Sequence, residues 1–390
     1  MITSTARTYY LYKIVLFLMF IYGIHPWFFW GIDHRVVLIV AIVIFAYVFA
    51  RCKNIFNKKC NFVRFIFLFA LIVWMQKQTF GAILYGLGVS WILYNFLCIN
   101  DYYKKDIINF ITKWFSIMLL ISLIGYIAVK LDFPLPNTVV AYDDSSSYNS
   151  MFRNYYFFIE IGSSSMRFSG IFLEPGYMAM AICPLLYLNN FDIRSPYIII
   201  LLISLLFSFS LAGYVVTALA YIYVLFVQQN MYAIKRLFIS VFAVILFILI
   251  ASQIFHDEIF STLILDRLNS QDGNLIFNER INTVFAEAFN KFINSNSFYW
   301  GTGEYDAEEF FYGHGNAGWQ VFTYMYGLVG LILCILAYIS PVLTKERNKQ
   351  VIGFSLLLLL LLYVNAYPTL WHMLILITIG TSSYFSKNKS

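Results

Sequence analysis

Residues 197–227 read YIIILLISLLFSFSLAGYVVTALAYIYVLFV and contain no Asp, Glu, Lys, Arg or His. A transmembrane helix needs about 20 predominantly apolar residues, so an uncharged stretch of this kind belongs in lipid. Ser208-Phe209-Ser210 and Gly213 interrupt it and divide it into two spans, 196–211 and 213–228. Ionisable groups are missing again between 238 and 255. The composition of the whole 390-residue chain agrees: 61% of residues are hydrophobic and 12% charged. Soluble domains carry about 45–50% apolar and roughly 25% charged residues, so a soluble fold is excluded. Aromatic residues make up 20% of the chain, which suits rings set against lipid and at both membrane interfaces.

Apolar runs able to span a bilayer fall at 10–28, 35–51, 62–77, 80–99, 112–130, 171–190, 196–211, 213–228, 237–255, 317–341, 351–366 and 368–386. The expectation is an all-α polytopic membrane protein of about 12 transmembrane helices, forming one integral membrane domain over residues 1–390. Arg7 and Lys13 precede an apolar run, but Trp27-Phe28-Phe29-Trp30 follows where small residues would mark a cleavage site, so the first span is expected to be retained. With the N-terminus inside, cytoplasmic segments hold 18 of the 26 basic residues and only 4 of the 20 acidic ones. That is the positive-inside distribution, and an even number of spans puts both termini in the cytoplasm. Two outer loops exceed turn length, about 131–169 and about 255–316. The first is turn-rich and polar, with Asp143-Asp144-Ser145-Ser146-Ser147. In the second, Phe277, Ile281, Phe285, Phe289 and Phe292 recur at helical spacing, which predicts an amphipathic helix lying on the outer leaflet.

All five cysteines map to cytoplasmic loops or spans, so no disulfide is expected. The histidines, His25, His34, His256, His314 and His372, fall at the outer face, as do Arg35, Arg153, Arg167, Arg267 and Arg280; acid–base chemistry would therefore face outward. Proton-coupled carriers need ionisable groups at mid-depth, and the near absence of such groups argues against a transporter or a lipid-linked saccharide flippase. Glu174 is the exception. Glu174-Pro175-Gly176 is a helix-start signal, and the 16 residues from Pro175 to Asn190 span roughly 24 Å, short of the ~30 Å hydrocarbon core. The helix would then begin inside the membrane, where irregular backbone is tolerated only if buried in protein or lining a wet cavity. Glu174 either lines such a cavity or merely caps its own helix.

The stretch Arg167-Phe168-Ser169-Gly170-Ile171-Phe172-Leu173-Glu174-Pro175-Gly176-Tyr177-Met178-Ala179 resembles the signature segment of the bacterial O-antigen polymerase (Wzy) and ligase superfamily. Phe207-Ser208-Phe209-Ser210-Leu211-Ala212-Gly213 is similar to its Ser-x-x-Gly turn, although the Arg often found after the serine is Leu211 here. Asn278-Glu279-Arg280, Trp300-Gly301-Thr302-Gly303 and Gly313-His314-Gly315-Asn316, ahead of a span with Gly327 and Gly330, resemble its large-loop signature, with Gly315 separating the His-Asn pair. The resemblance covers about 167–332; the N-terminal third carries no motif.

What the resemblance implies is a GT-C-like membrane glycosyltransferase whose donor is an undecaprenyl-pyrophosphate-linked oligosaccharide, with membrane lipid as its surroundings and a chain-length regulator as a further partner. It implies neither nucleic acid nor cofactor, and nothing in the chain asks for a metal. A hydroxyl must attack the anomeric carbon, which a base assists, and the departing pyrophosphate is best held by guanidinium groups. Arg167 and Arg280 are the candidate cations. His314, between two glycines and with an unperturbed pKa of ~6.5, is the preferred base; Glu174 competes with it, since a carboxyl in a low-dielectric cavity is pushed up. Asn316 and Ser210 are candidate substrate contacts, and Tyr312 and Trp319 either stack on sugar faces or serve as interfacial aromatics. His25, His34, His256 and His372 are read as interface residues. Polymerase is the leading expectation, and a ligase of the same superfamily the alternative.

Overall fold

The computed structural model describes residues 2–57, 61–77, 79–142, 150–161, 167–228, 283–303, 318–343, 348–364 and 369–380. Five helices open the chain: α1 (Ile2–Tyr22), α2 (His34–Arg51), α3 (Phe62–Met75), α4 (Phe80–Cys98) and α5 (Asp101–Lys130). Three strands follow, β1 (Thr138–Tyr142), β2 (Ser150–Asn154) and β3 (Ile159–Ile161). Then come α6 (Pro175–Leu188), α7 (Pro196–Phe207), α8 (Leu211–Gln228), α9 (Thr283–Ile293), α10 (Ser297–Trp300), α11 (Gly318–Leu343), α12 (Lys349–Val364) and α13 (Trp371–Ile375), which runs on as a π-helical turn, Leu376–Gly380.

Among the described residues, α2, α4, α5 and α11 are long and apolar enough to cross a membrane, and α3, α6, α7, α8, α12 and α13 with its π turn are shorter apolar helices. Only 22% of the apolar window of α2 is buried inside the protein. Val36, Ile39, Val40 and Val43 stand exposed on it, an apolar surface suited to lipid. The molecule is a helical, membrane-embedded protein. The run expected at 237–255 lies outside the described residues, and that at 368–386 is described only over 369–380.

Several boundaries differ from those read in the sequence. α1 starts at Ile2 and stops at Tyr22, before Gly23 and Pro26. α5 begins at Asp101 rather than 112, because Ile107, Ile108 and Ile111 bury one face of a stretch too polar for a hydropathy window. Lys13 and Tyr9 of α1 both donate to Asp106 Oδ2 of α5, at 3.0 and 2.8 Å. Arg64, in the first turn of α3, is 1% exposed. Its Nη2 donates to the Ile377 carbonyl at 2.7 Å, in the π turn whose altered ladder leaves a backbone acceptor for it.

The 131–169 loop also holds more order than its polar composition suggests. β1, β2 and β3 form an antiparallel sheet in that order, with Val140 opposite Phe152 and Phe152 opposite Ile161. Trp30 lies against Tyr142 and Phe152 with ring centres 4.9 and 5.1 Å away, and the nearly buried Glu160 pairs with Lys130 at 2.8 Å. The sheet thus sits on the α1–α2 connection and the end of α5, and this is called the sheet end of the bundle below.

The amphipathic helix is confirmed over Thr283–Ile293, but its surroundings are corrected. Phe285, Phe289 and Phe292 are at most 5% exposed, covered by protein rather than by a lipid leaflet. Phe285 and Phe292 meet Tyr324 at 5.8 and 4.9 Å, and Phe289 meets Trp319 edge-on at 5.9 Å. Periodicity marks which face is buried and is silent about what buries it.

Candidate functional site

The segment before α6 crosses the sheet end as an extended chain tied down on both sides. Phe168 N donates to the Phe207 carbonyl at 2.9 Å and Ile159 N to the Gly170 carbonyl at 2.9 Å. Trp27 N donates to Ile171 O at 3.0 Å and Leu173 N to His25 O at 3.2 Å, flanking a bridge between Pro26 and Phe172. Buried irregular backbone must find such partners, and here the neighbours supply them. Glu174 follows at φ −140°, ψ 148°, and Pro175 starts the helix, as the sequence indicated.

Glu174 occupies the N-cap position without using its side chain there. Its carboxylate makes no hydrogen bond among the described residues and stands exposed, although protein crowds around it closely enough for desolvation to act on it. That desolvation pushes its carboxyl up from the usual carboxylate range, and the charge of the Arg167 guanidinium opposes the shift. Glu174 thus stands at the cap of its own helix, as one of the two sequence readings had it, but without a side-chain hydrogen bond there.

Arg167 is half-buried, and its Nε donates to the Ser208 carbonyl at 3.3 Å. The turn that receives it is built for close packing. A Cβ on Gly213 would lie 2.7 Å from the Ala179 Cβ, so α6 and α8 approach to a distance only glycine permits. Ser210 is 5% exposed, and its Oγ accepts from Gly213 N at 3.3 Å. The hydroxyl is an N-cap for α8, turned into the protein rather than toward a ligand. Two of the sequence-derived site residues, Arg167 and Glu174, are therefore brought within electrostatic reach of each other, while Ser210 supports them from behind.

The Trp300-Gly301-Thr302-Gly303 stretch has a different task. α11 is broken at Gly327, which adopts φ 74°, ψ 177°. A break leaves the preceding carbonyls without helical partners, a severe cost at membrane depth. Thr302 N and Gly303 N donate to Tyr324 O and Met325 O at 2.9 and 3.0 Å, Thr302 Oγ1 to Tyr324 O at 3.1 Å, and Trp74 Nε1 to Tyr326 O at 2.8 Å. Lys77 Nζ donates to the Trp300 carbonyl and sits 4.0 Å above the Trp74 ring centre. Gly301 is needed because a Cβ there would meet Met325 O at 2.2 Å. The Gly-x-Gly is a clasp on a broken helix.

Trp319 is half-buried on the first turn of α11, edge-on to Phe289, so part of its ring serves packing. His314, Asn316, Tyr312 and Arg280 lie outside the described residues. Of the histidines read as interface residues, His372 is corrected: it is fully buried, and its Nδ1 lies 2.7 Å from the Gly23 carbonyl. This contact requires the proton on Nδ1. His25, two residues beyond Gly23, is half-buried with its ring 5.7 Å from that of Tyr177 on α6. Sequence reasoning missed the backbone pairing of His25 with Leu173, since no local pattern links residues so far apart in the chain. No family model, curated protein or solved structure matches this chain.

Proposed function

We propose that the protein is a polysaccharide polymerase of the O-antigen polymerase type, transferring a growing glycan from undecaprenyl pyrophosphate to the next lipid-linked repeat unit at the outer face of the cytoplasmic membrane. On this reading the chain crosses the membrane twelve times, both termini are cytoplasmic, and the sheet end of the bundle faces outward. The observation that supports it most is Glu174: an uncommitted carboxylate at the mouth of a helix that starts below a loop, beside an arginine. The order and spacing of the motifs from Arg167 to Asn316 add to it.

The chemistry needs few parts. The acceptor hydroxyl attacks the anomeric carbon, the bond from that carbon to the pyrophosphate oxygen breaks, and the electron pair leaves with the lipid pyrophosphate. The hydroxyl proton goes to a base, for which Glu174 and His314 are the candidates from the motifs. Arg167, joined by Arg280, holds the pyrophosphate as charge accumulates on it, an electrostatic contribution that acts in the transition state.

The test is incubation of the purified protein with synthetic undecaprenyl-pyrophosphate oligosaccharide alone. A ladder of products spaced by one repeat unit is expected; an unchanged substrate that is instead transferred to lipid A core or protein when these are added would replace polymerase by ligase. His314→Ala is expected to lose ~10²–10⁴ in rate if it is the base. Near-normal ladders in that variant, with Glu174→Gln inactive, assign the role to Glu174.

A further inference from the structure

The turn between β2 and β3, residues 155–158, lies against the flank of α5 rather than beyond its end. Ser122 Oγ donates to the Phe157 carbonyl at 2.6 Å, and a Cβ on Gly125 would come within 3.2 Å of the Phe158 ring. Ser122 stands roughly 12 Å along the helix from Lys130, the last residue of α5. Residues 114–129 around it hold no Asp, Glu, Lys, Arg or His. Within the turn the side chains divide. Tyr155 and Phe158 stack face to face with ring centres 4.6 Å apart and are buried, whereas Tyr156 and Phe157 are 50% and 59% exposed. Ile121 and Ile124, beside Ser122 in α5, are exposed as well, so the apolar surface of a helix long enough to cross a membrane adjoins that of the turn.

The backbone of the turn is closed off. Tyr155 N donates to Phe158 O at 2.9 Å and Phe157 N to Tyr155 O at 2.8 Å. Tyr156 N donates to Asn154 Oδ1 at 2.7 Å, and the Tyr156 carbonyl accepts from Trp27 Nε1 at 3.3 Å. With the Ser122 bond, every backbone N–H and C=O of Tyr155, Tyr156 and Phe157 has a partner within the protein. Three of those partners are side chains, and they come from α5, β2 and the α1–α2 connection. A turn in water needs no such provision, because water takes up whatever groups the chain leaves open. In hydrocarbon each group must be met internally, and irregular backbone survives there only when it is. Two large rings facing outward over a fully paired backbone are what an acyl-chain environment demands.

We propose that the β2–β3 turn is a lipid-docking element, with Tyr156 and Phe157 set among the acyl chains of the membrane leaflet on the sheet side, alongside α5. The docking stands apart from the glycosyl-transfer reading and needs only a membrane-embedded bundle. It also reaches the segment ahead of α6, since Trp27 holds the turn through Nε1 and donates from its backbone N to Ile171 O at 3.0 Å. The lipid-held turn and that segment thus share one anchor.

Spin labelling in phosphatidylcholine nanodiscs tests the docking. The background is the protein with Cys60 replaced by serine, Cys52, Cys98, Cys183 and Cys334 being buried. Nitroxides at Phe157→Cys and, separately, at Tyr156→Cys should collide freely with oxygen, which concentrates among acyl chains, and be shielded from a water-soluble nickel chelate. The ratio of the two accessibilities should match that of Ile124→Cys and exceed severalfold that of Lys53→Cys, whose position is exposed beyond the end of α2. Nickel contact at the level of Lys53→Cys would put the turn in water, and shielding from both reagents would put it under protein, a second copy of this chain included; either overturns the proposal. Hydroxyl-radical footprinting of the wild-type protein in the same nanodiscs needs no substitution. Trypsin releases residues 154–167 as one peptide, in which Tyr156 and Phe157 should be oxidised no faster than the buried Tyr155 and Phe158. Faster oxidation of the outward pair overturns the proposal.

Discussion

At the scale of single residues, the influence of the Arg167 charge on Glu174 has a direct consequence for the pH dependence of the proposed transfer reaction. Desolvation raises the Glu174 carboxyl and the Arg167 charge lowers it. A carboxylate that must be ionised to act gives activity that rises with pH through its pKa. Removing the guanidinium removes the opposing influence, so Arg167→Gln is expected to move the acidic limb of the transfer profile to higher pH, besides lowering the maximum. Arg167→Lys keeps the charge and should leave the limb near its wild-type position, while still transferring more slowly because one ammonium cannot form paired hydrogen bonds to pyrophosphate. A limb that stays in place in Arg167→Gln would show that another group sets it. Much of this site was legible in sequence: the helix start at Pro175, the acid before it and the arginine seven residues upstream all stand where the local pattern put them. The Ser210 hydroxyl was not, because a serine ahead of a helix reads alike whether it caps or binds. The backbone bond from Leu173 to His25 was not either, because tertiary contact across the chain leaves no local trace.

At the scale of elements, glycines separate positions that require close approach from those that do not. Gly327 combines a φ of 74° with a Cβ site 2.4 Å from the Tyr299 carbonyl oxygen, and backbone cannot move aside as a side chain does. Gly327→Ala is expected to lower stability by about 2–5 kcal/mol, summing left-handed strain and overpacking. Gly213→Ala, set against the Ala179 Cβ at 2.7 Å, should cost about 1–3 kcal/mol. Gly176 has nothing within 4 Å of its Cβ site, and Gly176→Ala should be neutral or gain up to about 1 kcal/mol of helix propensity. Thermal and denaturant unfolding in one detergent checks all three, and a Gly176-like outcome at Gly327 would remove the clasp. The elements themselves were unevenly legible. Hydropathy found the apolar helices, yet it missed the first three turns of α5, where buried isoleucines are diluted by Lys104, Lys105 and Asp106. It also missed the sheet, whose short strands alternate too briefly beside serine-rich stretches. The break in α11 is invisible in composition, because Gly327 and Gly330 look alike until Gly301 is seen against one of them.

At the scale of the whole molecule, the proposed reading takes its orientation from the distribution of charge, and one labelling experiment tests it. On the proposed twelve-span topology, 18 of 26 basic residues fall on one side and 16 of 20 acidic residues on the other, and the positive-inside rule would then put the α2–α3 connection in the cytoplasm and the α9–α10 segment outside. The native thiols offer a quiet background: Cys52, Cys98, Cys183 and Cys334 are all buried, and Cys60 can be replaced by serine. Asn296, between α9 and α10, and Lys53, after α2, are both exposed. In cells with only the outer membrane permeabilised, a membrane-impermeant maleimide should label Asn296→Cys and spare Lys53→Cys. Lys53→Cys should react only once the inner membrane is broken. The same end of the bundle carries Glu174, because α6 begins beside the sheet while α2 runs from the sheet end toward Lys53. Labelling in the reverse order would put Glu174 and Arg167 on the cytoplasmic side. A lipid-linked glycan presented outside could not then reach them, and the transfer reaction would lose its site even though every contact in the fold remained as described.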